Sequence, residues 1–157
     1  MQQIEIVEVR SREQLEQAFA IRRAVFVQEQ GVDEALEIDG RDEEAQHLLA
    51  LHEGDPVGTL RLRWLDHGRV AKIERVAVLP QARGAKGGQT LVEAALALSW
   101  AAGAEAAMLH AQTNVQRFYA RLGFVAFGPE FIEDGIPHVA MQLSLDGYAP
   151  GHRDRLR

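Results

Sequence analysis

The chain of 157 residues contains no cysteine, and this absence excludes three kinds of chemistry. Disulfide bonds, thiolate metal sites and a cysteine nucleophile all need a sulfhydryl group. The first residues lack the basic and then apolar pattern of a secretory signal, and no apolar run approaches the length of a membrane span. We therefore expect a cytoplasmic protein that has no membrane partner.

Basic residues are also scarce, because the chain has 17 lysines and arginines against 23 aspartates and glutamates. Nucleic-acid binding generally needs a basic face, so we expect no nucleic-acid partner at a net charge of −6. Through electrostatic steering, the same charge mildly favours a cationic or amine substrate. The length fits one domain, which we place at residues 1–146 and follow with a short tail at residues 147–157.

The most informative stretch runs from Val76 to Val92 and reads VAVLPQARGAKGGQTLV. It predicts an apolar strand, a proline stop, a glycine-rich turn with Arg83 and Lys86, and a helix beginning near Gly88. Backbone N–H groups of such a turn, at a helix N-terminus, point the same way and can cradle an anion. Because the two cations add positive charge there, the stretch predicts a pyrophosphate site.

Two common nucleotide motifs are absent from this stretch. A P-loop needs G-x-x-x-x-G-K-[ST], and a dinucleotide fold needs G-x-G-x-x-G after its first strand. Lys86 instead precedes the paired glycines, and the stretch lies mid-chain after several predicted strands. An ordinary loop with a glycine-assisted helix start is the alternative that the turn alone leaves open.

The pattern V-A-V-L-P-x-x-R-G-x-x-x-G-x-x-L resembles the acetyl-CoA signature of the GNAT superfamily of N-acetyltransferases. The usual form of that signature is R-x-x-G-x-G, and Lys86 stands where a glycine is usual. Two more strings, R-x-x-V-F-V-x-E-Q at residues 22–30 and F-x-E-x-G-I-P-H-x-x-M at residues 131–141, are similar to the YjcF/ElaA-like branch. The resemblance covers about residues 5–145.

The resemblance and the predicted elements together indicate an α/β (α+β) fold. We expect a GNAT-like, mixed and mostly antiparallel twisted sheet of about six to seven strands, flanked by about four helices, with a βαβ unit after the phosphate turn. The resemblance also implies a bulge in the strand before that turn. In function it implies an N-acetyltransferase that moves the acetyl group of acetyl-CoA to a primary amine, by direct attack in a ternary complex and without a metal.

The resemblance also implies which residues bind acetyl-CoA. Gln112 takes the position of the family's asparagine and keeps an amide side chain, and backbone groups of the strand before the turn are expected to hold pantetheine and the acetyl carbonyl. The expected cofactor-binding residues are Val76, Val78, Arg83, Gly84, Ala85, Lys86, Gly87, Gly88, Gln112 and Phe118.

Three residues are expected to carry the chemistry. Tyr119 matches the family tyrosine near the acetyl-CoA sulfur, where its phenol can protonate the departing thiolate. Glu74 is the first candidate for the general base, because two-residue alternation places it on one face with Val76 and Val78. His138, at a predicted sheet edge, is the second, since an imidazole suits proton transfer near neutrality. A packed tyrosine, an ion pair of Glu74 and a structural histidine are the alternatives.

The acceptor side is less well defined by the sequence. Arg22, Gln28 and Glu29 are expected to border a pocket for a small-molecule or peptide amine. Residues 33–44 are acidic, and we predict a solvated loop, with an acidic rim for the amine as the alternative. An acyltransferase similar to acyl-homoserine-lactone synthases and a non-catalytic acyl-CoA sensor are alternative functions. A homodimer stays open, because an exposed last strand would allow pairing between copies.

Overall fold

The structure is a computed structural model that describes residues 3–148. The strands within that range are β1 (Ile4–Glu8), β2 (Gln46–His52), β3 (Asp55–Leu65), β4 (Val70–Val78), β5 (Ala106–Gln112), β6 (Val125–Glu133) and β7 (Ile136–Ser144). The α-helices are α1 (Arg12–Arg22), α2 (Glu34–Glu37), α3 (Gly87–Ala101) and α4 (Gln116–Arg121). The strands form one sheet in the order β1-β2-β3-β4-β5-β7-β6, which confirms the predicted mixed α/β fold.

Residues 3–63, together with Glu74–Ala95, form one compact unit. Here β1 pairs antiparallel with β2, and β2 pairs antiparallel with β3. A buried cluster fills the core of the unit, and its members are Ala18, Ile21, Val25, Leu49 and Ala77. Gly58 on β3 is closely packed, because an added Cβ would lie 3.0 Å from the Leu91 Cδ1 atom of α3 and 3.2 Å from the Ala77 backbone O atom, so these neighbours would have to shift.

Trp64–Ile73 and residues 96–148 form a second compact unit. In this unit Val70–Ile73 of β4 pairs parallel with residues 106–109 of β5. The remaining pairs, β5 with β7 and β7 with β6, are antiparallel. The parallel pair confirms the predicted βαβ unit, because the chain enters α3 between these two strands.

The predicted start of the first helix is confirmed at Ser11, whose Oγ accepts a hydrogen bond from the Gln14 backbone N at 3.1 Å. Beyond Arg22 the helix widens into a π-helical segment at Arg23–Glu29. The five-residue spacing of π-helical hydrogen bonds is visible in the bond from the Gln30 backbone N to the Val25 O atom at 3.0 Å. Such segments occur often at functional sites.

The last strand is not exposed as predicted, because β7 lies between β5 and β6. That expectation was wrong: the return of the chain from β6 places β7 inside the sheet, and the edge positions belong to β1 and β6. The homodimer therefore stays a prediction without this argument. Residues 149–157 of the predicted tail lie outside the described residues. Within the described part, none of the helices combines the length and apolar character needed to cross a membrane.

Candidate functional site

The turn after β4 ends in a left-handed residue that immediately precedes a helix. Pro80–Ala85 forms a 3₁₀ turn, Lys86 has φ 62° and ψ 29°, and α3 begins at Gly87. The Thr90 backbone N donates to the Lys86 O atom at 3.0 Å, so the first N–H groups of α3 have no partner within the helix. Lys86 adopts a conformation that glycine adopts more easily, at a cost of about 1 kcal/mol. The geometry suits an anion next to the backbone.

Arg83 lies on this turn and holds a carboxylate from the π-helical segment. Its Nε donates to the Val78 O atom at 3.0 Å, while its two terminal nitrogens donate to Glu29 at 2.8 and 2.6 Å. The hydrogen bonds from Arg83 lower the pKa of Glu29. Both side chains are more than 40% exposed. Arg83 is thus part of the turn, but its guanidinium group is already bound by the Glu29 carboxylate.

β4 is bulged just before it reaches the turn. Arg75 has φ 55° inside the strand, although left-handed backbone is rare for residues with a Cβ. Successive side chains of a strand normally point to opposite faces. Glu74 and Arg75 instead reach the same cluster, because Glu74 contacts Arg61 and Arg75 contacts Asp39, a second partner of Arg61. The alternation predicted from Glu74 to Val78 is therefore interrupted at Arg75, as in a β-bulge.

Tyr119 lies in a buried aromatic cluster of the second unit. Its ring contacts Phe118 edge-on at a centroid distance of 4.9 Å and Phe124 at 6.0 Å. Burial raises the pKa of the Tyr119 phenol well above its ordinary value. The phenol therefore stays protonated through the neutral range and retains a proton that it can donate.

His138 and Gln112 stand opposite each other on β7 and β5. His138 also pairs in register with Phe131 of β6, and the two rings stack at 6.0 Å. The Nδ1 atom of His138 lies 2.7 Å from the Ile136 O atom. Because a carbonyl only accepts hydrogen bonds, Nδ1 carries the hydrogen and Nε2 carries the lone pair. His138 is buried inside the sheet and does not lie at the predicted edge.

Residues 6–145 match the family model described as an Acetyltransferase (GNAT) domain. The chain belongs to the GNAT acetyltransferase family. It is 37% identical over 133 residues to the uncharacterized N-acetyltransferase YjcF of Bacillus subtilis, a match that covers 84% of this chain and 94% of that protein.

Two solved structures resemble most of the chain. ElaA of Escherichia coli has a TM-score of 0.78 and 31% identity, and the match covers 89% of this chain and 99% of ElaA. An acyl-CoA N-acyltransferase of Pseudomonas aeruginosa has a TM-score of 0.78 and 31% identity, with 88% and 99% covered. The predicted family and its YjcF/ElaA-like branch are confirmed. As a GNAT acyltransferase, the chain belongs to a family that uses acyl-CoA.

Two buried arginines of this GNAT chain bind the acidic segment that the sequence placed in solvent. Arg61, whose side chain is 0% exposed, donates to both Asp39 carboxylate oxygens at 2.8 Å and to Asp42 Oδ1 at 3.1 Å. Arg22, at 1% exposed, donates to Glu37 at 2.5 Å and to Asp42 at 2.6 Å. The predicted solvated loop is wrong for these carboxylates, because each one neutralises a buried guanidinium group.

These side chains form an arginine–carboxylate network that includes two predicted site residues, Glu74 and Arg22. Its members are Arg22, Glu37, Asp39, Asp42, Arg61, Arg63, Glu74 and Arg75. Glu74 accepts from Arg61 at 3.0 Å and from Arg63 at 2.5 Å, which is the alternative that the sequence left open. Arg22 is wholly enclosed, whereas Gln28 and Glu29 are exposed. Their roles toward an acceptor stay predictions. In the described range no group of three or more histidine, aspartate or glutamate side chains is arranged to hold a metal.

Asp39 makes stability depend on pH in a direction that can be tested. Hydrogen bonds from Arg61 hold the pKa of Asp39 well below its usual range, against the opposing effect of burial. A lowered pKa stabilises the fold above the ordinary value of about 4, and that contribution is lost as the pH falls. We expect the free energy of unfolding from urea titrations to fall between about pH 5 and pH 2, and to fall less steeply in Asp39→Asn. Asp55→Asn, on an exposed strand end, is the control, and equal pH slopes in all three proteins would contradict the assignment.

The sequence assigned no role to two residues that the structure brings together in the second unit. His110 Nδ1 lies 3.0 Å from the Glu133 Oε1 atom. The available signals were the position of His110 two residues before Gln112 and of Glu133 inside the string at residues 131–141. Neither signal indicates a pair, because 23 residues separate the two along the chain.

Proposed function

We propose that the chain transfers the acetyl group of acetyl-CoA to a primary amine by direct attack within a ternary complex. The observation that carries the proposal is the left-handed Lys86 followed directly by the N-terminus of α3, with Arg83 beside it. Backbone N–H groups in this arrangement favour a pyrophosphate, which coenzyme A contains. Family membership supports acyl-CoA as the donor class.

The residues expected from the family signature keep their proposed roles. The turn from Arg83 through Gly84, Ala85, Lys86 and Gly87 to Gly88 would take the phosphates. Backbone groups of Val76 and Val78 would hold pantetheine and the acetyl carbonyl, and the left-handed Arg75 supports their use because a β-bulge at that point would interrupt regular strand pairing. Gln112 and Phe118 are proposed as further contacts.

The reaction joins one bond and breaks another. The amine nitrogen attacks the thioester carbon, a C–N bond forms, the C–S bond breaks, and the thiolate leaves. Tyr119 is proposed to protonate that thiolate because its position matches the family tyrosine; burial keeps the phenol protonated but also makes it a weaker acid. Of the two predicted bases, Glu74 is already neutralised by two guanidinium groups, so it is a weak acceptor for another proton. His138 keeps a lone pair on Nε2 but is buried inside the sheet, so it stays a proposed group on the acceptor side.

Two measurements test the proposal together. Calorimetry should detect acetyl-CoA binding to the purified protein, and a panel of small amines and peptides should release free coenzyme A thiol with at least one acceptor. Binding without turnover across the panel would favour the acyl-CoA sensor. Turnover only with a longer acyl donor on a carrier would favour the acyl-homoserine-lactone-synthase-like alternative. Absence of binding at millimolar acetyl-CoA would remove the proposal.

The contact between Glu29 and Arg83 predicts a variant that binds coenzyme A more tightly. Glu29→Gln removes the anion that competes for the guanidinium group, so Arg83 can turn to a phosphate without breaking an ion pair. We expect the Kd for coenzyme A, measured by calorimetry, to fall roughly two- to fivefold. Glu16→Gln, which removes a similarly exposed partner from Arg12 on α1, is the matched control and should leave Kd unchanged. Weaker binding in Glu29→Gln would contradict the competition.

A further inference from the structure

A histidine–glutamate pair lies across three adjacent strands of the second unit. His110 on β5 places Nδ1 3.0 and 3.2 Å from the two Glu133 carboxylate oxygens on β6. The ring of Phe131 contacts His110 edge-on at 5.0 Å and stacks on His138 at 6.0 Å. The imidazole of His110 is thus held in orientation by the Glu133 carboxylate and the Phe131 ring.

The chemistry of the pair defines the tautomer of His110. An ionised carboxylate only accepts hydrogen bonds, so Nδ1 carries the hydrogen and Nε2 carries the lone pair. The hydrogen bond from His110 lowers the pKa of Glu133, with smaller contributions from His138 and Lys72, so the carboxylate stays ionised near neutrality. The two side chains are 27% and 33% exposed, which leaves the pair within reach of a solute. A histidine oriented by a carboxylate in this way is the usual arrangement of a proton acceptor.

The pair shares its sheet face with two residues already assigned to the reaction. His110 and Gln112 lie two positions apart on β5, so they point to the same face at a spacing of about 7 Å. Gln112 pairs with His138, and His138 pairs with Phe131, which extends the same face across β7 and β6. The proposed cofactor contact Gln112 and the proposed acceptor-side His138 therefore flank the pair.

We propose that His110 Nε2 removes a proton from the acceptor ammonium group and that Glu133 holds the His110 imidazole in position. This proposal rests on the proposed function. The protonated amine gives one proton to Nε2 and then attacks the thioester. As the C–N bond forms and the C–S bond breaks, the second nitrogen proton is released to solvent. The thiolate takes a proton from Tyr119, which solvent restores, and the histidine returns its own proton to solvent.

The face around the pair also indicates the class of acceptor. Ionised Glu133 and the Phe131 ring offer a carboxylate and an aromatic surface, both of which attract an ammonium group. His110, His138 and Lys72 also act on Glu133 through their charges, and each of them favours the ionised carboxylate.

The test compares His110→Gln and Glu133→Gln with the wild type, using the best amine from the thiol-release panel. His67→Gln, a histidine on an exposed turn of the same unit, is the matched control. We expect kcat to fall on the order of 10²-fold in His110→Gln while the Kd for acetyl-CoA stays within about twofold. In Glu133→Gln kcat should also fall, because the imidazole keeps its Nε2 lone pair but loses the carboxylate that orients it through Nδ1. Glu133→Asp should restore part of the wild-type rate.

A measurement without any substrate gives an independent readout. Nitrogen-15 correlation spectra of the ligand-free wild type should show His110 protonated on Nδ1 in its neutral form, and an Nε2-protonated tautomer would overturn the proposal. Turnover in the wild type with an unchanged rate and pH profile in His110→Gln would overturn the role of the pair and leave the acetyltransferase function standing. A wild type that acetylates no amine would overturn both.

Discussion

Replacing Arg61 with methionine is expected to lower the free energy of unfolding by about 3–5 kcal/mol. The Arg61 side chain is 0% exposed, and it binds Asp39, Asp42 and Glu74. Methionine has a similar length but no charge, so the substitution leaves three carboxylates close together without the guanidinium group that neutralises them. Urea denaturation monitored by circular dichroism at pH 7 measures the difference.

Two further variants distinguish this effect from a general loss of charge. Arg12→Met removes an exposed ion pair with Glu16 on α1 and should change the free energy of unfolding by about 0.5 kcal/mol or less. In the double variant Arg61→Met with Asp39→Asn, the second substitution should destabilise less than it does alone, because its partner is already absent. Strictly additive effects, or a loss in Arg61→Met no larger than in Arg12→Met, would show that the network does not act as described.

The local parts of the fold could be predicted because short-range signals encode them. Pro80 and the paired glycines bound the turn before α3, and Ser11 with Gln14 marks the start of α1. Tyr119 and Gln112 could be selected because their spacing matches a family motif. Each of these signals lies within a few residues of the structure that it specifies.

The remainder of the candidate site depends on contacts that no local pattern specifies. Arg61 reaches Asp39 across 22 residues, and His110 reaches Glu133 across 23. An acidic segment has the same composition whether it is solvated or folded onto buried arginines, so residues 33–44 were assigned to solvent. The left-handed backbone of Arg75 could not be predicted either, because an arginine in the sequence does not indicate a positive φ.

Replacing Tyr119 with phenylalanine is expected to lower kcat for acetyl transfer by about 10²- to 10⁴-fold. The ring would keep its edge contacts with Phe118 and Phe124, so the fold and the Kd for acetyl-CoA should change little. Only the phenolic hydroxyl group is removed, and without its proton the thiolate must leave unprotonated. Steady-state thiol release and calorimetry on the same preparation separate the two effects.

The matched control is Tyr148→Phe, because Tyr148 is the other of the two tyrosines in the chain. We expect full turnover in that variant, since Tyr148 follows the end of β7 and has no role in the proposed reaction. An ordinary tyrosine has a pKa of about 10 and begins to ionise above about pH 9. Because burial raises the pKa of Tyr119, the wild type should keep its activity above that pH. Unchanged turnover in Tyr119→Phe would assign the proton to solvent and leave Tyr119 a packing residue, whereas loss of acetyl-CoA binding would make it a cofactor contact.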